Sequence, residues 1–161
     1  MIQIKTFAFN PFQVNTYVLY NEHKECIIVD AACYSEREKE ILTAFIDDNE
    51  LNLKLLINTH CHVDHILGVH YIKERYNVPF YACPKDQYLL DTSIDHARGY
   101  GFDFADVPVI DKEVFTGDTI PFGEDSLSII EAPGHTKGSI LIHSEPNNLL
   151  YTGDVLFYGS I

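Results

Sequence analysis

Three imidazoles and a carboxylate fall within six consecutive residues, His60-Cys61-His62-Val63-Asp64-His65. Imidazole nitrogen and carboxylate oxygen are donors that suit zinc, and also iron, manganese or cobalt, and so short a spacing lets one loop present side chains to two adjacent ions. Two later segments add donors of the same kinds. Ala132-Pro133-Gly134-His135-Thr136-Lys137-Gly138-Ser139 sets a histidine in a turn where the backbone can approach a ligand closely. Tyr151-Thr152-Gly153-Asp154-Val155-Leu156-Phe157 ends an apolar run with a Gly-Asp pair, from which a carboxylate can bridge two cations. A pair of divalent ions supplies hydroxide at neutral pH and polarises the carbonyl of an ester, thioester or amide. Asp64 and Asp154 are then the groups that orient the hydroxide and accept its proton, and no serine or cysteine nucleophile is required.

The neighbours of these donors divide into packing and supporting residues. Alternation along the loop turns Cys61 away from the ions, so it reads as a packing residue. His70 follows His65 by five positions on an expected helix and points off the ligand face. Thr59, Thr136 and Asp30 read equally well as packing residues and as hydrogen-bonders that fix the imidazoles. His96, Arg98, Tyr100 and Phe102 lie in a segment that could touch substrate, and none is singled out.

Positioning these residues requires a framework, and the pattern supplies one. IQIKTF, VNTYVLY and CIIVD predict an antiparallel meander. Ser35 and Glu38 form a capping box before Ile41, Leu42, Phe45 and Ile46, which recur at helical spacing up to Asp47-Asp48-Asn49. LKLLIN at 53–58 is apolar on consecutive positions, as in a strand buried on both faces, and it leads straight into THCHVDH. A second helix is expected from Asp64 or His65 to Tyr76, ended by Asn77 and Pro79, followed by a strand PFYAC. Residues 84–112 show a short helical start and no clear period, which predicts a loop or lid near the site. Strands follow around 114, 127–131, 139–144 and 149–152.

Charge and composition narrow the partners. The 161 residues carry 24 Asp and Glu against 11 Lys and Arg, a formal net charge of -13 that repels polyphosphate chains and anionic membranes. Nucleic acid and membrane partners are therefore not expected. Four cysteines without paired spacing, and no basic segment followed by an apolar run at the N-terminus, predict a cytoplasmic protein.

In this order THCHVDH, PGHTKGS and TGDVLF resemble the metal-binding motifs of the metallo-β-lactamase superfamily. Within it the sequence is most similar to the glyoxalase II-like, or hydroxyacylglutathione hydrolase-like, group, whose last motif commonly continues as Gly-Ser-Ile, as at 159–161 here. The resemblance covers essentially the whole chain and implies an α+β fold, the αββα sandwich, with ligands on loops at one edge of two facing sheets. It implies that His60, His62 and His135 hold a first zinc ion, Asp64 and His65 a second, and that Asp154 bridges them, with iron or manganese as alternative metals. Members carry a further histidine on the second ion, beyond the Gly-Asp motif, together with more strands and helices. His143 lies ahead of Asp154 and is no substitute for that further histidine. The domain spanning 1–161 is thus expected to be incomplete at its C-terminal end, with an open sheet edge that invites a homo-oligomer. The implied activity is hydrolysis of a small thioester or ester by metal-bound hydroxide. Its alternatives are a mononuclear-iron sulfur dioxygenase, a lactone hydrolase, and a catalytically incomplete metal-binding fragment.

Overall fold

β-Branched and aromatic residues alternate across a pleat in the N-terminal third, and this pattern sets the first sheet. In the computed structural model, which describes residues 1–160 and leaves Ile161 outside, β1 (Gln3–Phe9), β2 (Val14–Tyr20) and β3 (Glu25–Val29) form the expected antiparallel meander. Helix α1 (Glu36–Asp48) starts at the capping box: the Glu38 N–H donates to Ser35 Oγ, and the Ser35 N–H donates to the Glu38 carboxylate. Strand β4 (Asn52–Ile57) returns parallel to β3, and the short β5 (Phe80–Ala82) and β6 (Lys112–Glu113) extend the sheet in the order β1-β2-β3-β4-β5-β6. A second, antiparallel sheet runs β10-β9-β8-β7, from β7 (Thr119–Phe122), β8 (Asp125–Glu131), β9 (Ile140–Ser144) and β10 (Leu149–Tyr151).

Burial on both faces explains the apolar run in β4. Leu53 and Leu56 join the core on one side of the first sheet, and Leu55 and Ile57 the core between the sheets. Lys54, at the strand's entry, stays exposed. Between the sheets, Leu19, Ile27 and Val29 face Leu127, Ile129, Ile140 and Ile142. On the other side of the first sheet, Leu42 and Ile46 of α1 pack on Val18, Ile28 and Phe80, with Val69 and Ile72 from the helix that follows the histidine loop. The layers are therefore helix, sheet, sheet. Among the described residues all five α-helices precede β6, and Ile130 and Leu150 on the outer face of the second sheet are exposed. No helix among them is long and apolar enough to cross a membrane.

Two expectations need correction. The helix predicted from residue 64 or 65 to 76 is two pieces, α2 (Val63–Ile66) and α3 (Val69–Tyr76), broken at Leu67-Gly68. The break has a steric and a hydrogen-bonding cause. The Gly68 N–H donates to the Ala31 carbonyl at 2.9 Å, and a Cβ at Gly68 would come within 2.7 Å of the Cys33 carbonyl oxygen. Residues 84–112 are not mainly loop. A 3-10 turn (Pro84–Asp86) leads into α4 (Gln87–Asp91) and α5 (Ser93–Gly99), and only 100–111 is irregular. Helices of 5 and 7 residues are too short to print a readable period. They are held by tertiary contacts instead, Leu89 and Leu90 in the helix-side core and Ala97 against Val63, Leu67 and Phe102.

Gly68→Ala tests this packing. Overfilling a tight contact costs about 1–3 kcal/mol, so the urea midpoint should fall with the slope unchanged; an unaltered midpoint would show that the α2–α3 break has room to spare.

Candidate metal centre

The loop after β4 carries His60, Cys61 and His62; His62 caps α2, and Asp64 and His65 lie within that helix. His135 sits in the turn between β8 and β9, and Asp154 in a 3-10 turn (Gly153–Val155) directly after β10. Strands from both sheets thus end at one rim. A hydrogen bond from the Ile140 N–H to the Thr59 carbonyl, 2.8 Å, joins the two sheets there. The glycine before Asp154 has a structural reason: Gly153 has φ +49, and a Cβ on it would come within 2.7 Å of Thr59 Cβ. Only a glycine lets the Asp154 turn close onto the histidine loop.

At that rim the donor atoms form two overlapping groups, His60 with His62 and His135, and His60 with His65 and Asp154, each with its atoms within 4.8 Å of one another. Asp154 reaches across them, with Oδ1 3.4 Å from His65 Nε2 and Oδ2 3.4 Å from His135 Nε2 and 4.0 Å from His60 Nε2. Asp64 belongs to neither triplet; its Oδ2 lies 3.8 Å from His65 Nε2. All six residues singled out in the sequence converge. His143 does not, since it pairs within the second sheet opposite Ser128 and Leu150. His70 also stays apart, on α3 beside Tyr34 and Tyr71.

Hydrogen bonds orient the deepest imidazole. Asp30 is buried in a left-handed conformation (φ 54) and accepts the Thr59 N–H and the Thr59 hydroxyl, both at 2.7 Å. With its one proton given to Asp30, Thr59 Oγ accepts from His60 Nδ1–H at 3.2 Å. Nε2 of His60 is then the lone-pair nitrogen, and it is buried without any hydrogen-bond partner. A buried polar atom left unpaired is costly and rare, and this one faces the other donors. That is the fit expected of a ligand to a cation, and the nitrogen and oxygen donors suit zinc or iron. His65 Nδ1 lies 3.2 Å from Asp30 Oδ2 but off the line of a hydrogen bond, so the contact is one of charge. The Asn58 side-chain amide donates to the His60 and His65 carbonyls, and that of Asn10 to the Asp64 carbonyl, which pins the loop backbone from two sides.

One supporting residue has no signal in the sequence pattern. Asp86, fully buried, accepts from the Cys61 N–H, the Thr136 hydroxyl and the Gly138 N–H. A lone aspartate in Pro84-Lys85-Asp86-Gln87 reads as a solvated turn residue. Cys61 is buried as expected, and burial holds its thiol well above the usual value, followed in effect by the nearby Asp86 and Asp30 charges. Of the four segment residues, His96 and Tyr100 line a cavity of about 320 Å³ with His62, Asp64, His135 and Phe12. Arg98 instead pairs with Asp95, and Phe102 packs on Tyr34 and Phe12. A second cavity, about 530 Å³, opens on the other side of Asp154, between Tyr17 and Phe157.

The fold is shared with known proteins. Residues 9–161 match the model of the metallo-beta-lactamase superfamily, and the chain belongs to that family, whose members are mostly hydrolytic metalloenzymes. Hydroxyacylglutathione hydrolase GloC of Haemophilus influenzae is 28% identical over 162 residues, 99% of this chain and 74% of that protein. The crystal structure of BLEG-1 B3 metallo-beta-lactamase superposes with a TM-score of 0.85 at 28% identity, over 97% of this chain and 74% of that one. That of TTHA1623 in a di-iron-bound form also gives 0.85, at 25% identity, over 98% and 75%.

In the metal-free protein the site groups titrate in opposite senses. Burial, then the neighbouring imidazoles, holds His60 below the ordinary 6.5, and burial with His135 does the same to His62. Burial alone would lower His65 too, but Asp30, Asp154 and Asp64 outweigh it and raise it. A lowered imidazole gives stability that is lost as pH falls below 6.5, and a raised one gives stability that is lost as pH climbs above 6.5. Chelator-treated protein should therefore show its highest urea midpoint near the imidazole range and decline toward both sides; a midpoint that rises steadily from about pH 6 to about pH 9 would contradict the balance drawn here.

Proposed function

We propose that this protein is a metal-dependent hydrolase of small thioesters or esters, of the hydroxyacylglutathione hydrolase type. The observation that carries the reading is the buried, partnerless His60 Nε2 set among three further imidazoles and Asp154. His60, His62 and His135 would hold one divalent ion, Asp64 and His65 the second, with Asp154 shared between them; zinc is the proposed metal, iron or manganese the alternatives. When bound, such ions supply Lewis acidity and lower the pKa of a coordinated water from about 16 toward about 7.

The chain's own residues do the rest. Asp154 and Asp64 accept hydrogen bonds from the attacking water and take up its proton. Asp30 and Thr59 keep the His60 ring turned with Nε2 toward the other donors, a geometry that costs nothing to assemble at the moment of reaction. Phe12 and Tyr100, edge to face at 5.2 Å, wall the smaller cavity and keep bulk water from the acyl group, while His96 on the same wall offers a donor to a polar tail. A thiolate leaves readily, so a thioester needs no dedicated general acid, and none of the four buried cysteines is drawn in as a nucleophile. We place the protein in the cytoplasm, because four free thiols suit a reducing compartment. Its proposed partner is a small-molecule thioester or ester rather than nucleic acid or a membrane, with self-association through a sheet edge. The likeness to BLEG-1 B3 metallo-beta-lactamase supports a second reading, hydrolysis of a lactam or lactone ring.

A substrate panel decides between them. With zinc or iron supplied, the protein should cleave a glutathione thioester of a hydroxy acid, and Asp154→Ala should lower kcat/KM by about 10²–10⁴. Ring opening of lactones or lactams without thioester cleavage would move the assignment to the second reading, and full activity in Asp154→Ala would remove the residue from the chemistry.

A further inference from the structure

We propose that Asp86 is a positioning residue for the metal centre: its carboxylate fixes the distance between the His60–His62 loop and the His135 turn, and so sets how tightly the three-histidine group holds a divalent cation. The inference rests on the metal-centre reading above and adds to it a residue outside the three motifs.

The geometry is specific. The two segments that bring His62 and His135 together are 73 positions apart, and their ring nitrogens meet at 3.0 Å without a strand pairing between the segments. The Ile140–Thr59 backbone bond joins the segments at their strand ends, and nearer the histidines what spans them is Asp86. One oxygen, Oδ2, accepts the Cys61 N–H at 3.0 Å and the Thr136 hydroxyl at 2.8 Å, and the other, Oδ1, accepts the Gly138 N–H at 2.7 Å. Cys61 lies between two of the ligands and Thr136 follows the third. Two of the three bonds hold backbone rather than side chain, so the clamp acts on the loops that carry the imidazoles. All three groups donate, and a carboxylate is the side chain that can accept from all of them.

Asp86 is itself held. Its N–H donates to the Cys83 carbonyl in the 3-10 turn at the end of β5, so the clamp is anchored to the first sheet. Thr136 is steadied by Ser139, whose Oγ lies 2.8 Å from the Thr136 hydroxyl and accepts the Thr136 N–H at 3.1 Å. Gly138 leaves the space: a Cβ there would stand 2.7 Å from Asp86 Cγ and 2.8 Å from Oδ1. The second glycine of PGHTKGS is thus explained by the approach of a carboxylate 52 positions away. Asp30 plays its part on the other side of the centre, at Thr59, His60 and His65. The two buried carboxylates divide the ligand loops between them.

The test is a titration of metal-free protein with cobalt(II), read by its visible ligand-field absorption, for wild type, Asp86→Ala, Asp86→Asn and Thr136→Val. Asp86→Ala should bind cobalt about 10–100-fold more weakly, the range for loss of a residue that orients metal ligands, and its absorption band should shift or weaken. Asp86→Asn should fall between, because its carbonyl oxygen still accepts from Cys61 and Thr136 while its amide meets the Gly138 N–H donor to donor. Thr136→Val, short of one bond, should also be intermediate. Ile72→Val, in the helix-side core away from the centre, serves as the control: a comparable loss of metal-free stability there should leave affinity and spectrum unchanged. If Asp86→Ala does not fold, the Asn and Val variants decide. Unchanged affinity and spectrum in folded Asp86 variants would overturn the proposal, as would an equal weakening in the control. A wild-type protein that takes up no cobalt would instead overturn the metal-centre reading itself.

Discussion

Everything at the rim of this protein answers to one electrostatic problem, four imidazoles and two carboxylates converging around a buried His60 Nε2 that no protein hydrogen bond satisfies. The ring centroid of His60 is 4.0 Å from that of His65 and 4.8–4.9 Å from those of His62 and His135. Leaving the buried Nε2 of His60 unpaired costs on the order of 1–3 kcal/mol. A fold keeps such an arrangement only if the rest of the structure enforces it, and a cation would offset the cost by taking the lone pairs of the whole set at once.

The enforcement comes from the way two sheets end together. The first sheet delivers the histidine loop at the end of β4 and the second delivers His135 and Asp154 on the connections of β8, β9 and β10. Apolar packing between the sheets sets their spacing, but it acts at the resolution of side-chain volumes. The finer positioning falls to polar contacts in a dry setting, where an unpaired group is expensive and geometry is therefore specified. Asp30, Thr59, Asn58, Asn10 and Asp86 supply those contacts, and Gly68, Gly138 and Gly153 supply the close approaches they need.

The candidate donors were legible in the sequence because side chains that can bind a metal are few in kind and crowd together: HCHVDH, the His135 turn and the Gly-Asp pair all reach the rim. So were the meander, the capping box and three of the four strands of the second sheet, whose short-range patterns survive folding unchanged; β7, four residues long with Pro121 inside it, was not expected. What was not legible depends on long-range contact. The break at Gly68 is dictated by Ala31 and Cys33, α4 and α5 are too short to show a period, and Asp86 is identified only once the 3-10 turn after β5 is seen between two loops distant in sequence. Thr59 and Asp30, evenly balanced between packing and support when read as sequence, prove to be the pair that sets the His60 ring.

Metal content per chain tests the central claim most directly. Protein purified without chelator, or metal-free protein reloaded with zinc or iron(II) and freed of excess, should carry two ions per chain by elemental analysis, and His60→Ala, which strikes both donor groups, should retain neither. A folded wild-type protein that holds no metal after loading, or a His60→Ala variant that holds as much as wild type, would contradict the account.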